Sequence, residues 1–437
     1  MFSLKHLGLT AALAAAAPLA HAQQFLTEIL DTNSTLGQGY YSVFKRYDKL
    51  RFSGYVQPQF QWTEEKGAKN PPSGDFAPNS NNRFMIRRGR LRADYVSQRE
   101  DGALTTHFVF QIDATERGVV VRDLWGRLYE NRWGLFSLVS GVFARPFGYE
   151  VNYSSSEREA PERGRASQIL MRTERDIGAM VSLEPRGKLL QNLRWLRFDV
   201  GVFNGPGLTS PSDFDSHKDM IARLYARPAK GFSNGWRLSG GVSYLHGGLA
   251  NPSQTLYTLA SSGTTARMQG DTLSSGIAQR RYYGADAQLR IPNRKGATEF
   301  RAEYIRGLQT GTAGSSETPG SLNDAAGKPV VLYTRPFDAA YFYFLQHLGS
   351  PAHQLVLRYD WYDPNTGVSG GEIDPTKGFT AADVRYASFS GGYVWNATPN
   401  LRATLWYDRV TNETTSLPNV GSDLRDDLLT VRLQYRF

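Results

Sequence analysis

The chain of 437 residues has no cysteine. That excludes disulfides, thiolate metal sites and cysteine nucleophiles together. Long apolar runs are scarce as well. Beyond the N-terminal segment no stretch of about 18 apolar residues occurs, so no transmembrane helix can be drawn. Histidine is sparse, and His107, His217, His246, His347 and His353 do not fall at zinc-ligand spacing. A phosphate loop, a dinucleotide fingerprint and a G-x-S-x-G elbow are all missing. An enzyme is therefore not expected, and neither is a metal or a cofactor. The formal charge of +9 could attract nucleic acid, but no nucleic-acid motif accompanies it.

Aromatic residues and glycine are plentiful: 23 Tyr, 23 Phe, 8 Trp and 43 Gly. The mean hydropathy is nonetheless −0.44, a soluble-looking average. A membrane β-barrel reconciles the two. Its strands alternate lipid-facing and lumen-facing residues, so their hydropathy cancels.

Residues 1–22 carry one cation, Lys5, then an apolar stretch from Leu7 to Ala20, and close on Ala20-His21-Ala22. This is the pattern of a cleaved secretory signal peptide. Residues 23–50 read as a periplasmic extension with a short helix at Phe25–Leu30, and residues 51–437 as the barrel. Loss of Lys5 would leave a charge one lower than the +9 of the whole chain.

The C-terminus has the clearest local pattern. From Leu429 to Phe437 apolar residues take every odd position and polar ones every even position. Period two of this kind gives a strand with one apolar and one charged face. The alternation recurs at Leu355–Trp361, Ala285–Ile291, Phe300–Tyr304, Trp236–Tyr244 and Arg88–Tyr95. About sixteen such segments can be placed, each close to the 9–11 residues with which a tilted strand crosses a bilayer. They start near Arg51, Arg83, Ala103, Val119, Leu135, Asp176, Arg194, Lys218, Trp236, Tyr282, Thr298, Asp338, His353, Val384, Asn400 and Asp426. Their connections mostly alternate between long and short, with Ala114–Gly118 short where a long one is due. Long outer loops and short periplasmic turns belong to outer-membrane barrels. The location expected is thus a Gram-negative outer membrane, in contact with its lipid and lipopolysaccharide.

Several stretches, in order, resemble the phosphate-selective porin O and P family: Arg83-Phe84-Met85-Ile86-Arg87-Arg88-Gly89-Arg90-Leu91, Phe108–Asp113, Gly141-Val142-Phe143-Ala144-Arg145-Pro146-Phe147-Gly148-Tyr149-Glu150, Ser154–Glu159 and Arg175-Asp176-Ile177-Gly178. The close resemblance runs from about Arg51 to Val181. It implies a sixteen-stranded all-β barrel, a homotrimer and conduction of small anions, with phosphate or polyphosphate as the name suggests. It also implies that the third external loop, Arg145–Arg175, folds into the lumen and narrows it. Between Arg145 and Asp176 six arginines meet six acids, so that loop is neutral overall.

A pore selects by width, wall charge and hydrogen-bond donors. Arginine offers a planar fork of N–H groups that matches phosphate or carboxylate oxygens, and it stays charged at any relevant pH. Arg88, Arg90 and Arg92 at period two should stack on one lumen wall. Arg223 and Arg227, and likewise Arg432 and Arg436, should share faces of other strands. Arg158, Arg163 and Arg165 are the cations expected in the constriction loop. The alternative for all of them is pairing with lumen acids, for which Asp94, Asp199, Asp286, Glu303, Asp360 and Asp408 fall on the same faces. Phe198, Tyr359, Trp361, Tyr407 and Tyr435 read as lipid-facing, whereas a sugar-stacking platform would need aromatics on the inner face. A weakly selective general porin and a non-conducting structural or adhesin barrel are the competing functions.

Overall fold

The computed structural model describes residues 49–69, 74–210, 212–227, 235–262, 265–272 and 276–437. The expected signal peptide and almost all of the 23–50 extension lie outside the described residues. The body considered below is the unit Phe52–Phe437.

Period-two sequence becomes strand throughout. The first six wall strands are β1 (Leu50–Thr63), β2 (Asn82–Gln98), β3 (Leu104–Thr115), β4 (Gly118–Tyr129), β5 (Phe136–Ala144) and β6 (Arg175–Leu183). The next three are β7 (Leu196–Phe203), β8 (Asp219–Ala226) and β9 (Arg237–Ala250). After the hairpin β10 (Thr255–Ser262) and β11 (Thr265–Thr272), the wall resumes with β12 (Ile277–Asn293), β13 (Gly296–Gly311), β14 (Leu332–His347) and β15 (His353–Asp363). It ends with β16 (Tyr386–Thr398), β17 (Leu401–Asn412) and β18 (Leu428–Arg436).

Neighbours pair antiparallel in chain order, and β9 pairs directly with β12, from Ile277↔Ala250 to Arg290↔Arg237. The hairpin β10–β11 therefore stands outside the wall, and the eighteen strands reduce to a sixteen-stranded barrel. Closure is between β1 and β18, with Tyr55 opposite Arg436 and Thr63 opposite Leu428. Closing the sheet removes the unpaired strand edges that no hydrocarbon solvent could satisfy.

Strand starts follow the sequence expectation closely, with two exceptions. β12 begins at Ile277 rather than near Tyr282, and β14 at Leu332 rather than near Asp338. These ends rise into the long-loop rim, where other loops cover the inner face and the alternation blurs. Arg335 there is fully buried and donates to Asp383 at 2.7 Å. The long connection expected between the strands starting near Trp236 and Tyr282 is likewise mostly strand, because β9 runs on to Ala250 and the hairpin fills the gap.

The outward face is apolar. Leu91, Phe108, Leu124, Leu138, Phe300, Phe342, Tyr359, Leu405, Tyr407 and Tyr435 are all exposed. β18 shows the expected split: Val431, Leu433 and Tyr435 point out while Thr430, Arg432 and Gln434 are buried within.

The inner face is not uniformly polar. The loop 145–174, which carries a one-and-a-half-turn helix α1 (Arg165–Leu170), folds into the lumen as expected. It packs Phe147, Val151, Leu170 and Met171 against inward Phe203, Ile221, Leu245, Tyr282, Ile305, Phe337 and Tyr362. A large apolar side chain buried this way contributes about 1.5–3 kcal/mol. Half of the lumen is thereby a dry core. Gly284 leaves room for it, since a Cβ there would meet the Phe147 ring at 3.2 Å.

Candidate functional site: an arginine-lined lumen

The inward loop is held by wall residues from many strands. Glu303 on β13 accepts the backbone N–H groups of Tyr149 and Glu150, both at 3.1 Å, and the Tyr341 hydroxyl at 2.8 Å. This approach explains the glycine in the Arg-Pro-Phe-Gly-Tyr-Glu block. Gly148 has φ 65°, and a Cβ on it would strike the Glu303 carboxylate. Glu150 turns back to cap α1, accepting from the Gly164 N–H at 3.0 Å and the Ser167 hydroxyl at 2.7 Å, and from Tyr343 at 3.1 Å. Arg402 on β17 donates to the carbonyls of Ser156, Glu157 and Arg158 at 3.1–3.3 Å.

Two of the loop's acids each gather several arginines. Glu162 takes Arg87 at 2.9 Å, Arg88 at 2.9 Å and Arg432 at 2.7 Å. Burial by itself would raise this carboxyl. The Arg87, Arg88, Arg432 and Arg158 cations outweigh burial and hold it well below the usual carboxylate range. Glu174 gathers Arg122, Arg163 and Arg175 in the same manner. The neutral loop thus pins itself to a wall that is richer in cations than the loop is in acids.

Each sequence-expected arginine can now be placed. Arg88, Arg90 and Arg92 do face the lumen in a file along β2. Arg88 is bound to Glu162 and, at 3.2 Å, to Gln57. Arg90 reaches Asp113 at 3.2 Å and the Ser155 hydroxyl at 3.0 Å. Arg92 lies on Asp94 at 2.7 Å. Arg223 bonds Asp286 at 2.8 Å. Arg227 falls one residue past the end of β8 and pairs with Glu184, so it is a neighbour of Arg223 rather than a rung on the same strand. Arg432 is tied to Gln59 at 2.8 Å and to Glu162, and Arg436 to Glu157 at 2.9 Å. In the loop, Arg158 donates to the Ala160 carbonyl at 3.3 Å and Arg163 to the Glu150 carbonyl at 2.9 Å. Arg165 stacks over Tyr386, 3.5 Å from the ring centroid. Carboxylate pairing, the alternative reading, therefore accompanies lumen exposure at most of these positions.

Several lumen residues escaped the sequence reading. Arg87 faces inward beside Arg88, because the alternation slips by one between outward Ile86 and outward Leu91. Nothing in a single sequence marks that slip. Gln57, Gln59 and Gln61 form a buried file on β1, and their period-two spacing was a usable signal. Arg122 and Arg127 on β4 were also missed.

Three cavities follow one another through the lumen. One of about 320 Å³ near the long-loop rim includes Arg87, Arg88, Arg117, Arg163 and Arg172 among its lining. One of about 390 Å³ includes Arg90, Arg92, Arg163, Arg175 and Arg436. The third is a vestibule of about 820 Å³ toward the short-turn end, where ten arginines meet six carboxylates. Successive cavities share Arg163, then Arg92 and Arg175. Arg127, Arg237 and Arg402 in the vestibule have no carboxylate ion-pair partner among the described residues.

No protein-family model and no curated protein matches the sequence. Solved structures do match the fold. OprB of Pseudomonas putida aligns at a TM-score of 0.54 with 9% identity, covering 92% of this chain and 97% of that one. OmpF of Salmonella typhi, solved with daunomycin, aligns at 0.50 with 13% identity, covering 89% and 97%. These likenesses show the fold, a closed sixteen-stranded antiparallel barrel.

Proposed function

We propose that the protein is an outer-membrane porin through which small anions diffuse passively, phosphate or polyphosphate among them. One observation carries the reading: the excess of arginine over carboxylate in each of three cavities that follow one another through the lumen. An anion shedding part of its hydration needs compensating donors, and several moderate sites conduct better than one strong site. Arg88, Arg90 and Arg92 supply donors to all three cavities in turn. Arg223 and Arg227 join at the vestibule, and Arg436 at the middle cavity. Arg432, Arg158, Arg163 and Arg165 act mainly by setting the loop that shapes the route.

The expected assembly is a homotrimer, with small outward residues on the early strands, Gly89 and Ala93, allowing close approach of a neighbour. The mass of the barrel in detergent, corrected for bound detergent, tests this; a monomer would contradict it. The chain's first 22 residues are proposed to direct export.

Reversal potentials across a planar bilayer under a salt gradient test the function. Anion preference is expected, and cation preference would remove the anion reading. A second reading, a weakly selective general porin, is favoured by Glu162 and Glu174, which neutralise several of the arginines. It predicts a reversal potential near zero.

A further inference from the structure

The vestibule differs from the rim cavity in one respect, with the middle cavity between them, where Arg90 lies 5.8 Å from the Tyr55 ring. The rim cavity is lined by arginine without any aromatic ring. In the vestibule, arginines and rings come in pairs. Arg127 lies 5.7 Å from the centroid of Trp125, two residues away on the same face of β4. Arg223 lies 4.8 Å from Tyr225 on β8. Arg301 on β13 sits 4.7 Å from Tyr153, which stacks on Tyr149 at 5.3 Å and 21°. All of these residues line the one 820 Å³ space, within the roughly 300–1,000 Å³ of ordinary ligand pockets.

The pairs are not equivalent. Arg301 is held by Glu159 at 2.8 Å and Arg223 by Asp286 at 2.8 Å. Arg127 has no carboxylate partner among the described residues; its Nε, like that of Arg223, is buried without a hydrogen bond. Trp125 beside it is fixed from the edge by His107, ring centroids 5.0 Å apart, and His107 is held by Asp94 at 2.7 Å. A positioned indole therefore adjoins an unsatisfied guanidinium.

We infer that the vestibule is a binding station for ring-bearing carboxylates, the Arg127 guanidinium taking the carboxylate while the ring lies against Trp125. Tyr149, Tyr153 and Tyr225 offer further ring faces as the solute moves on. The inference rests on the anion-pore reading and names a class of solute for it. The chemistry is additive. A bare carboxylate or phosphate uses only the guanidinium, a neutral ring only the indole, and an aromatic carboxylate uses both.

The test is single-channel recording of the whole purified protein in potassium chloride, with benzoate, acetate, benzyl alcohol or inorganic phosphate added. Benzoate should interrupt the chloride current at a concentration about tenfold below acetate or phosphate, the difference expected from one good ring contact. Benzyl alcohol, with the ring contact alone, should act only at concentrations far above those of benzoate. Trp125→Leu should bring benzoate close to acetate, and Trp125→Phe should restore most of the gap. Arg127→Gln should weaken benzoate and acetate alike. Equal potency of benzoate and acetate, or an advantage that survives Trp125→Leu, would overturn the inference while leaving an anion pore standing. Cation selectivity in the same recordings would overturn both.

Discussion

The two halves of the lumen are built on opposite principles. From β5 round to β15 the inward loop lies on a dry core that includes Phe147, Leu170, Met171, Phe203, Tyr282 and Phe337. Toward β18, β2 and β4 the same loop meets arginine, through Glu162 and Glu174. One segment thus has an adhesive edge and an electrostatic edge. The first fixes its position by burial, which needs no partner of matching charge. The second sets what passes. A neutral loop can leave a basic pathway, because Glu162 alone meets three wall arginines, Arg87, Arg88 and Arg432.

The strongest way to break this division is to undo the adhesive edge. Phe147→Ala empties a fully buried site, at a cost of about 3–5 kcal/mol for a phenylalanine in a core. We expect a lower unfolding temperature and a larger, noisier conductance as the loop loosens. An unchanged conductance would mean that the electrostatic edge alone holds the loop.

The outer wall comes next. Leu91 is exposed at the middle of β2, so Leu91→Arg should hinder assembly by about 2–4 kcal/mol. Urea titration of the folded barrel in lipid measures this, and a variant as stable as the parent would place Leu91 off the lipid face.

Glu162→Gln acts on the electrostatic edge. Arg87, Arg88 and Arg432 would lose their shared carboxylate, so anion preference should increase while the unfolding temperature falls by less than in Phe147→Ala. A preference equal to that of the parent would show that this cluster lies off the ion route.

Acid should do little until late. Because Glu162 is held well below the usual carboxylate range, its stabilisation is complete above that range and is lost only as pH falls through the lowered value. Selectivity is expected to stay constant from neutral pH down to about 5 as far as this group is concerned. A steep change across that interval, absent from Glu162→Gln, would contradict the assignment.

Much of the barrel was legible in the sequence because a membrane imposes period two on every strand. The C-terminal alternation from Leu429 to Tyr435 appears in the structure residue by residue, and Val356, Arg358 and Asp360 are buried where Leu355 and Tyr359 are exposed. Legibility fails where a second body covers the inner face. Tyr282, Phe337 and Tyr362 are inward aromatics that serve the loop rather than lipid, and only the position of the loop reveals it. The site was legible by residue type and less so by partner. The β2 arginines were readable from spacing, but Asp113 for Arg90 is a cross-strand neighbour and Glu162 for Arg88 lies 74 residues away. The slip that turns Arg87 inward left no trace in composition or period.

The central claim is that the arginine file on the β1–β6 side gives the pore its anion preference. The most direct measurement is the reversal potential of Arg90→Ala against the parent protein in the same salt gradient. Arg90 lines the middle cavity and is buried against Asp113, which keeps the Gly89 N–H at 2.9 Å without it, so the barrel should still assemble with some loss of thermal stability. The account predicts a clear drop in anion preference at unchanged assembly. An Arg90→Ala channel with the parent's reversal potential would contradict it.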